Sequence, residues 1–298
     1  MIGALGTTLL FACNAIFANR SAKRLGSNEA NLLRLLVAVL LLGAWAHFAG
    51  QGLRGASLSW LLLSGIAGFG LAGVAMFQAL PRLGSALAML IVQCGSALVA
   101  AVVEWGWLGT RLTAPQIGFV VVTLLGVIVG LLPRSLPAAP RVVLRAGAAW
   151  AALSACGQGL GAVLSRKAFQ LAAAAHEHPD AATTAYQRAL GGLVVAALVV
   201  TLVAFTRRDA SSNAPSIATG RAWPWVFANA LAGPVLGVTC FQWALSTTPA
   251  GIVQSIVATA PLATIPLAMW LEQLRPRPLY YAGTALAVLG VAGLFLAR

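Results

Sequence analysis

The sequence predicts an all-α polytopic membrane protein, with ten transmembrane helices as two inverted five-helix repeats around a central cavity. Composition is the first reason. The 298 residues are 60% hydrophobic and only 8% charged, with a mean hydropathy of +0.89, whereas soluble domains carry about 25% charged residues. The second is segment length: ten apolar runs of roughly 20 residues each suffice, at about 1.5 Å per residue, to cross about 30 Å of hydrocarbon. The alternating polarity of a membrane β-barrel is absent. The third is duplication. Phe77-Gln78 precedes Phe241-Gln242 by 164 positions, and Arg111 and Gly126 precede Arg275 and Gly290 by the same distance.

Taken in order, the first five helices are predicted over Ile2–Ala18, Asn31–Ala49, Ser59–Leu80, Ser85–Trp107 and Ala114–Leu132. Pro81-Arg82-Leu83-Gly84 reads as a tight turn between the third and fourth, and Gly109-Thr110-Arg111 as a short basic turn before the fifth. A Pro- and Arg-rich stretch, 133–146, reads as a linker that divides a first repeat (1–132) from a second (147–298). The remaining helices are predicted over Gly147–Phe169, Thr183–Phe205, Trp223–Leu245, Pro249–Leu271 and Leu279–Ala297. The N-terminus has neither a basic leader nor a small-residue cleavage site, so the first run reads as a retained helix. Five spans per repeat is an odd number, so the second repeat enters the membrane from the opposite face. Many secondary transporters build alternating access on that arrangement, around a mid-membrane site.

Charge and chemistry narrow the class. The net charge of +13 comes from arginines scattered between apolar runs, without the dense basic patch and stacking aromatics of a nucleic-acid binder. Cys13, Cys94, Cys156 and Cys240 lie inside apolar segments without metal-ligand spacing, and read as inert thiols. Glu29, Glu104, Glu177, Asp180, Asp209 and Glu272 are the only acids, and none falls near the middle of a predicted span. Tight proton coupling through a central carboxylate is therefore disfavoured. No span pairs a nucleophile with a base, His47 stands alone in its helix, and His176-Glu177-His178 lacks a third ligand cluster. Neither enzyme chemistry, a metal nor a cofactor is expected.

The informative polar residues are side-chain amides. Asn14, Gln78, Gln93, Gln158, Gln242 and Gln254 fall one each on the first, third, fourth, sixth, eighth and ninth helices. An amide facing lipid has no partner, so this set is expected to line a cavity or to bond between helices. Trp243, beside Gln242, is a candidate substrate-contacting ring. Arg34 and Arg188 open the second and seventh helices at matching positions, as candidate gate or carboxylate-binding residues. Pro234, Pro261 and Pro266 remove backbone donors inside the eighth and ninth helices, and are candidate hinges. Gly126 and Gly130 form a GxxxG that reads as helix packing.

Two motifs carry a family resemblance. Ala79-Leu80-Pro81-Arg82-Leu83-Gly84-Ser85-Ala86 follows the third helix, and Trp105-Gly106-Trp107-Leu108-Gly109-Thr110-Arg111-Leu112-Thr113 follows the fourth. The chain resembles the ten-helix, EamA-like branch of the drug/metabolite transporter superfamily. That family usually shows Leu-Gly-Glu-Arg-Leu-Thr in the second motif, where Thr110 here replaces the Glu. Its second-helix arginine matches Arg34. The resemblance implies a cavity among the six amide-bearing helices and a small-molecule substrate, with amino-acid export of the YddG type as one instance. The resulting expectation is a carrier of small neutral or zwitterionic metabolites, most of all amino acids, in a bacterial cytoplasmic membrane. Its partners are then the substrate and the lipid bilayer; the oligomeric state is open and a monomer is compatible. The alternative is efflux of drugs or cationic compounds, with Trp243 caging the cation. Small multidrug relatives carry a glutamate in the first helix, where this chain has Asn14. A scaffold without transport is the third reading.

Overall fold

The computed structural model describes residues 1–133, 139–207, 222–272 and 277–297. Residues 134–138 of the expected linker, together with Asp209 and Arg275, lie outside the described residues. The described residues form α1 (Ile2–Leu25), α2 (Ser27–Phe48), α3 (Leu58–Gly65), α4 (Ala72–Leu108), α5 (Ala114–Leu131), α6 (Arg141–Ala174) and α7 (Ala181–Arg207). They continue as α8 (Trp223–Ala230), α9 (Leu236–Thr247), α10 (Ala250–Val257), α11 (Ala260–Glu272) and α12 (Pro278–Leu296). Among them, nine helical stretches are long and apolar enough to cross a membrane. The protein is thus an all-helical, multi-pass membrane protein.

One stretch, Leu58–Leu108, holds 51 residues, which at about 1.5 Å each is more than twice a bilayer's hydrocarbon thickness. Gly84 breaks it. Its φ of 74° and ψ of 161° are non-helical, and positive φ is free of cost only for glycine. The expected Pro-Arg-Leu-Gly turn is therefore confined to one residue, with Pro81 and Arg82 still helical. Gly109, in the left-handed region at φ 68°, ends α4. Thr113 then starts α5 with a capping box: its side chain accepts from the Gln116 N–H, and the Gln116 amide oxygen accepts from the Thr113 N–H.

Two π-helical turns distort otherwise regular helices. Ile66–Leu71 joins α3 to α4, and Leu231–Val235, which contains Pro234, joins α8 to α9. The second starts 165 positions after the first and ends 164 after it, the offset of the sequence repeat. Wide turns of this kind are rare and concentrate at functional sites. The ninth predicted helix is also interrupted: α10 ends at Val257 and α11 begins at Ala260. Pro261 therefore stands in the first turn of a new helix, where its missing N–H costs nothing, rather than inside a kinked one. The linker is shorter than expected, because Arg141 already begins α6 directly after Pro140. Nothing in Arg141-Val142-Val143-Leu144-Arg145-Ala146 breaks a helix.

The principal packing partners come from opposite sides of the linker: α4 with α6, α5 with α12, α2 with α7, and α1 with α9. Glycines make the closest approaches. A Cβ on Gly126 would sit 2.7 Å from the Gly283 carbonyl, and one on Gly130 would meet the Leu262 side chain at 2.6 Å. The GxxxG pair thus packs within the chain. Large apolar side chains such as Ile2, Leu40, Phe48, Val102 and Val288 cover the outside. That is the surface a bilayer solvates.

Candidate functional site

Buried polar side chains are spread over most of the helices; Arg188 of α7, against the first π-helical turn, and Gln242 of α9 form one group among them. Arg188 lies two turns into α7 and is 5% exposed. Its guanidinium carbon stands 5.0 Å from the ring centroid of Phe69, in the π turn, and 5.1 Å from that of Phe241 on α9. Glycine makes room for it: a Cβ on Gly68 would come within 2.7 Å of Nη2, and one on Gly65 would run into the Arg188 carbonyl. Nε and Nη1 are sealed from solvent and have no hydrogen-bond partner among the described residues. Among the described residues, Arg188 enters no ion pair. A cation buried without an anion carries a large desolvation cost, which persists in proteins where a function needs it.

Gln242 follows Phe241 and is completely buried. Its Nε2 donates to the carbonyl of Thr184, one turn before Arg188, at 3.5 Å, while its Oε1 is buried without a donor. Gln254 and Gln158 also meet, Gln254 Nε2 donating to the Gln158 carbonyl at 3.3 Å. Gln158 lies one turn before Gly161, whose Cβ position is 2.9 Å from the Gly68 Cα. Gln158 thus lies on a helix that packs against the first π turn, beside Arg188. Asn14 faces Gly233 in the second π turn, and its Oδ1 is buried without a partner. Gln93 is buried in α4. Pro234 is buried within the same π turn as Gly233.

Other expected residues are elsewhere. Gln78 is exposed, and its Oε1 accepts from Arg82 Nη1 at 2.9 Å. Trp243 is 52% exposed beside Gly3, because one step along α9 turns it about 100° away from Gln242 towards the outside. Arg34 is half-buried and donates through Nε to Asn31 Oδ1 at 2.9 Å. Pro266 is exposed on an apolar outer groove of about 620 Å³ between α1, α11 and α12. His47 is within hydrogen-bond distance of the Tyr186 hydroxyl, and Glu177 accepts the Ala56 N–H.

A second polar cluster leaves only a faint trace in the sequence. Glu104, 2% exposed one turn from the end of α4, accepts the N–H groups of Ala250 and Gly251 at 2.5 and 3.3 Å. It thereby caps the positive end of α10. Arg166 of α6 stands 3.4 Å from the other carboxylate oxygen and donates to the carbonyls of Leu245 and Ser246 at 2.9 and 3.0 Å, at the negative end of α9. One ion pair thus clips the α9–α10 turn to α4 and α6. A lone Glu in an otherwise apolar run was the available hint; its partner is 62 positions away and cannot be read locally.

A multi-pass helical bundle with broken helices around buried, incompletely satisfied polar groups has the form of a membrane carrier. The comparisons specify which kind. The EamA-like transporter family matches residues 1–132 and 145–296, nearly the whole chain. The chain belongs to that family of membrane transporters, which are of the drug/metabolite type and not enzymes. No curated protein matches the sequence at a significant level. One solved crystal structure, described only as that of a protein, is similar with a TM-score of 0.76 at 19% identity, over 99% of this chain and 96% of that one. At that identity the likeness concerns the fold alone.

Proposed function

We propose that the protein is a secondary carrier of small neutral or zwitterionic metabolites, amino acids foremost, in a bacterial cytoplasmic membrane. With the 51-residue stretch divided at Gly84 the chain crosses ten times, and its two five-helix repeats lie in opposite senses. Alternating access then exposes the centre of the bundle to each side in turn. The observation that carries this reading is Gln242, a fully buried amide whose Oε1 has no donor among the described residues. Gln187 and Asn229 also bury an amide oxygen without a donor among the described residues; Gln242 differs in following Phe241, whose ring flanks the unpaired Arg188. A substrate ammonium or amide supplies the missing donor. The π turns and the α10–α11 break give the surrounding helices places to bend.

The cationic-drug alternative is less well supported, because the buried charge beside Gln242 is positive and would repel such a substrate. Counterflow in proteoliposomes tests the proposal. Vesicles loaded with unlabelled leucine should accumulate labelled leucine without a proton gradient, since no carboxylate lies mid-span. Gln242→Ala should cut the initial rate about tenfold, the weight of one buried hydrogen bond of roughly 1.4 kcal/mol. Gln78→Ala, on the exposed face, should leave the rate unchanged. No accumulation with any amino acid, and equal rates in parent and Gln242→Ala for whatever is carried, would sink the reading.

A further inference from the structure

We propose that Arg188 is the carboxylate anchor of this carrier, and that it works with Gln242 as a pair of poles selecting an α-amino-acid zwitterion. The inference rests on the reading of the protein as a metabolite carrier and names the group its site recognises. The guanidinium has unmet donors at Nε and Nη1, while Gln242 has an unmet acceptor at Oε1. The two residues lie on adjoining turns of one helix seam: Gln242 bonds to Thr184, four positions before Arg188, and the Phe241 ring faces Arg188 directly. Unmet donors on a cation call for an anion, and an unmet amide oxygen calls for a donor. A molecule carrying both a carboxylate and an ammonium answers both at once.

The surroundings favour a carboxylate over other anions. Phe69 and Phe241 enclose the guanidinium in apolar surface, so a strongly hydrated divalent anion such as sulfate would lose much solvation on entry. A single carboxylate neutralises the single positive charge, and its planar fork matches guanidinium geometry. The site is shut in this conformation. Phe69 also lines a narrow cleft with Asn28, Asn31, Val74 and Phe77, whose volume of about 10 Å³ holds at most about one water. Arg188 and Gln242 are 5% and 0% exposed, so a ligand reaches them only when the helices around them move apart.

The test uses the unmodified protein first. In leucine counterflow, leucine should compete at least tenfold better than leucinamide, which lacks the carboxylate, and better than 4-methylpentanoate, which lacks the ammonium. Leucine should also raise the Tm of the detergent-solubilised protein. In Arg188→Met, counterflow should fall at least tenfold and the leucine-induced Tm shift should vanish. The Tm without ligand should stay level or rise, because an unpaired buried charge has been removed. Arg188→Lys should keep part of the activity. Leucinamide competing as well as leucine, or Arg188→Met transporting like the parent, overturns the anchor. So does a lower ligand-free Tm in Arg188→Met with the leucine shift retained, which would mark a structural arginine. Counterflow of uncharged solutes with no response to any carboxylate would overturn the anchor and leave the carrier reading standing. No counterflow of any solute would remove both.

Discussion

Arg166 and Arg188 are both drawn into the bundle, and they differ in what surrounds them. Arg166 Nε makes no hydrogen bond among the described residues, but it has the Glu104 carboxylate at 3.4 Å, and its Nη1 donates to two helix-terminal carbonyls within 3.0 Å. Arg188 has two aromatic rings and, among the described residues, no acceptor for Nε or Nη1. The first cation is compensated by the fold, so it holds the α9–α10 turn in place. The second is left for something outside the chain to compensate. A counter-charge within the chain, rather than burial or complete hydrogen bonding, separates a structural charge from a candidate binding charge.

The sharpest way to break that contrast is to give Arg188 an internal partner. Phe241→Glu sets a carboxylate about where the ring now flanks the guanidinium. Leucine counterflow should drop to background and leucine should no longer shift the Tm; transport that survives would mean the guanidinium is not where substrate binds. The converse change orphans Arg166. Glu104→Gln removes the anion and leaves a largely buried cation, which should cost about 3 kcal/mol and lower the Tm. An unchanged Tm would show that the pair adds nothing to the fold.

The smallest effect is expected at the membrane's edge, where a carboxylate is compensated by neutral donors. Burial pushes the Asp180 carboxyl up, but bonds from the Thr183 hydroxyl and N–H, the Trp45 indole and the Ala182 N–H outweigh it and hold it below its ordinary value. A folded value below the unfolded one, about 3.9, means a stabilisation present above that pH and lost as pH falls through the folded value. Between pH 5 and pH 3 the parent's Tm should therefore fall more steeply than that of Asp180→Asn. Parallel slopes would remove Asp180 from the stabilising set.

Much of this was readable in the chain because the bilayer forces it. Lipid offers no hydrogen bonds, so apolar runs must be helices, and their ends fall where Gly84, Gly109 and Thr113 permit turns and caps. The amides were legible as residues to which lipid offers no partner, yet their neighbours were not. Gln242 and Trp243 are adjacent in sequence and opposite in environment, since helix rotation decides which one turns inward. Gln78 was set apart by Arg82, one turn further along the same helix. The π turns left only a faint trace, in the glycines and Pro234, because an extra residue per turn is a response to packing and not a propensity.

By itself the sequence determined a multi-pass helical membrane protein with a duplicated pattern, because solvent chemistry acts on each segment separately. The tertiary structure decided which polar groups are partnered. Glu104 meets Arg166 and the start of α10 only when four helices converge, and Arg188 lacks an anion only because Phe69 and Phe241 arrive there instead. Pairing depends on residues distant in the chain, so compensation, and the binding role it implies, is a property of the assembled bundle.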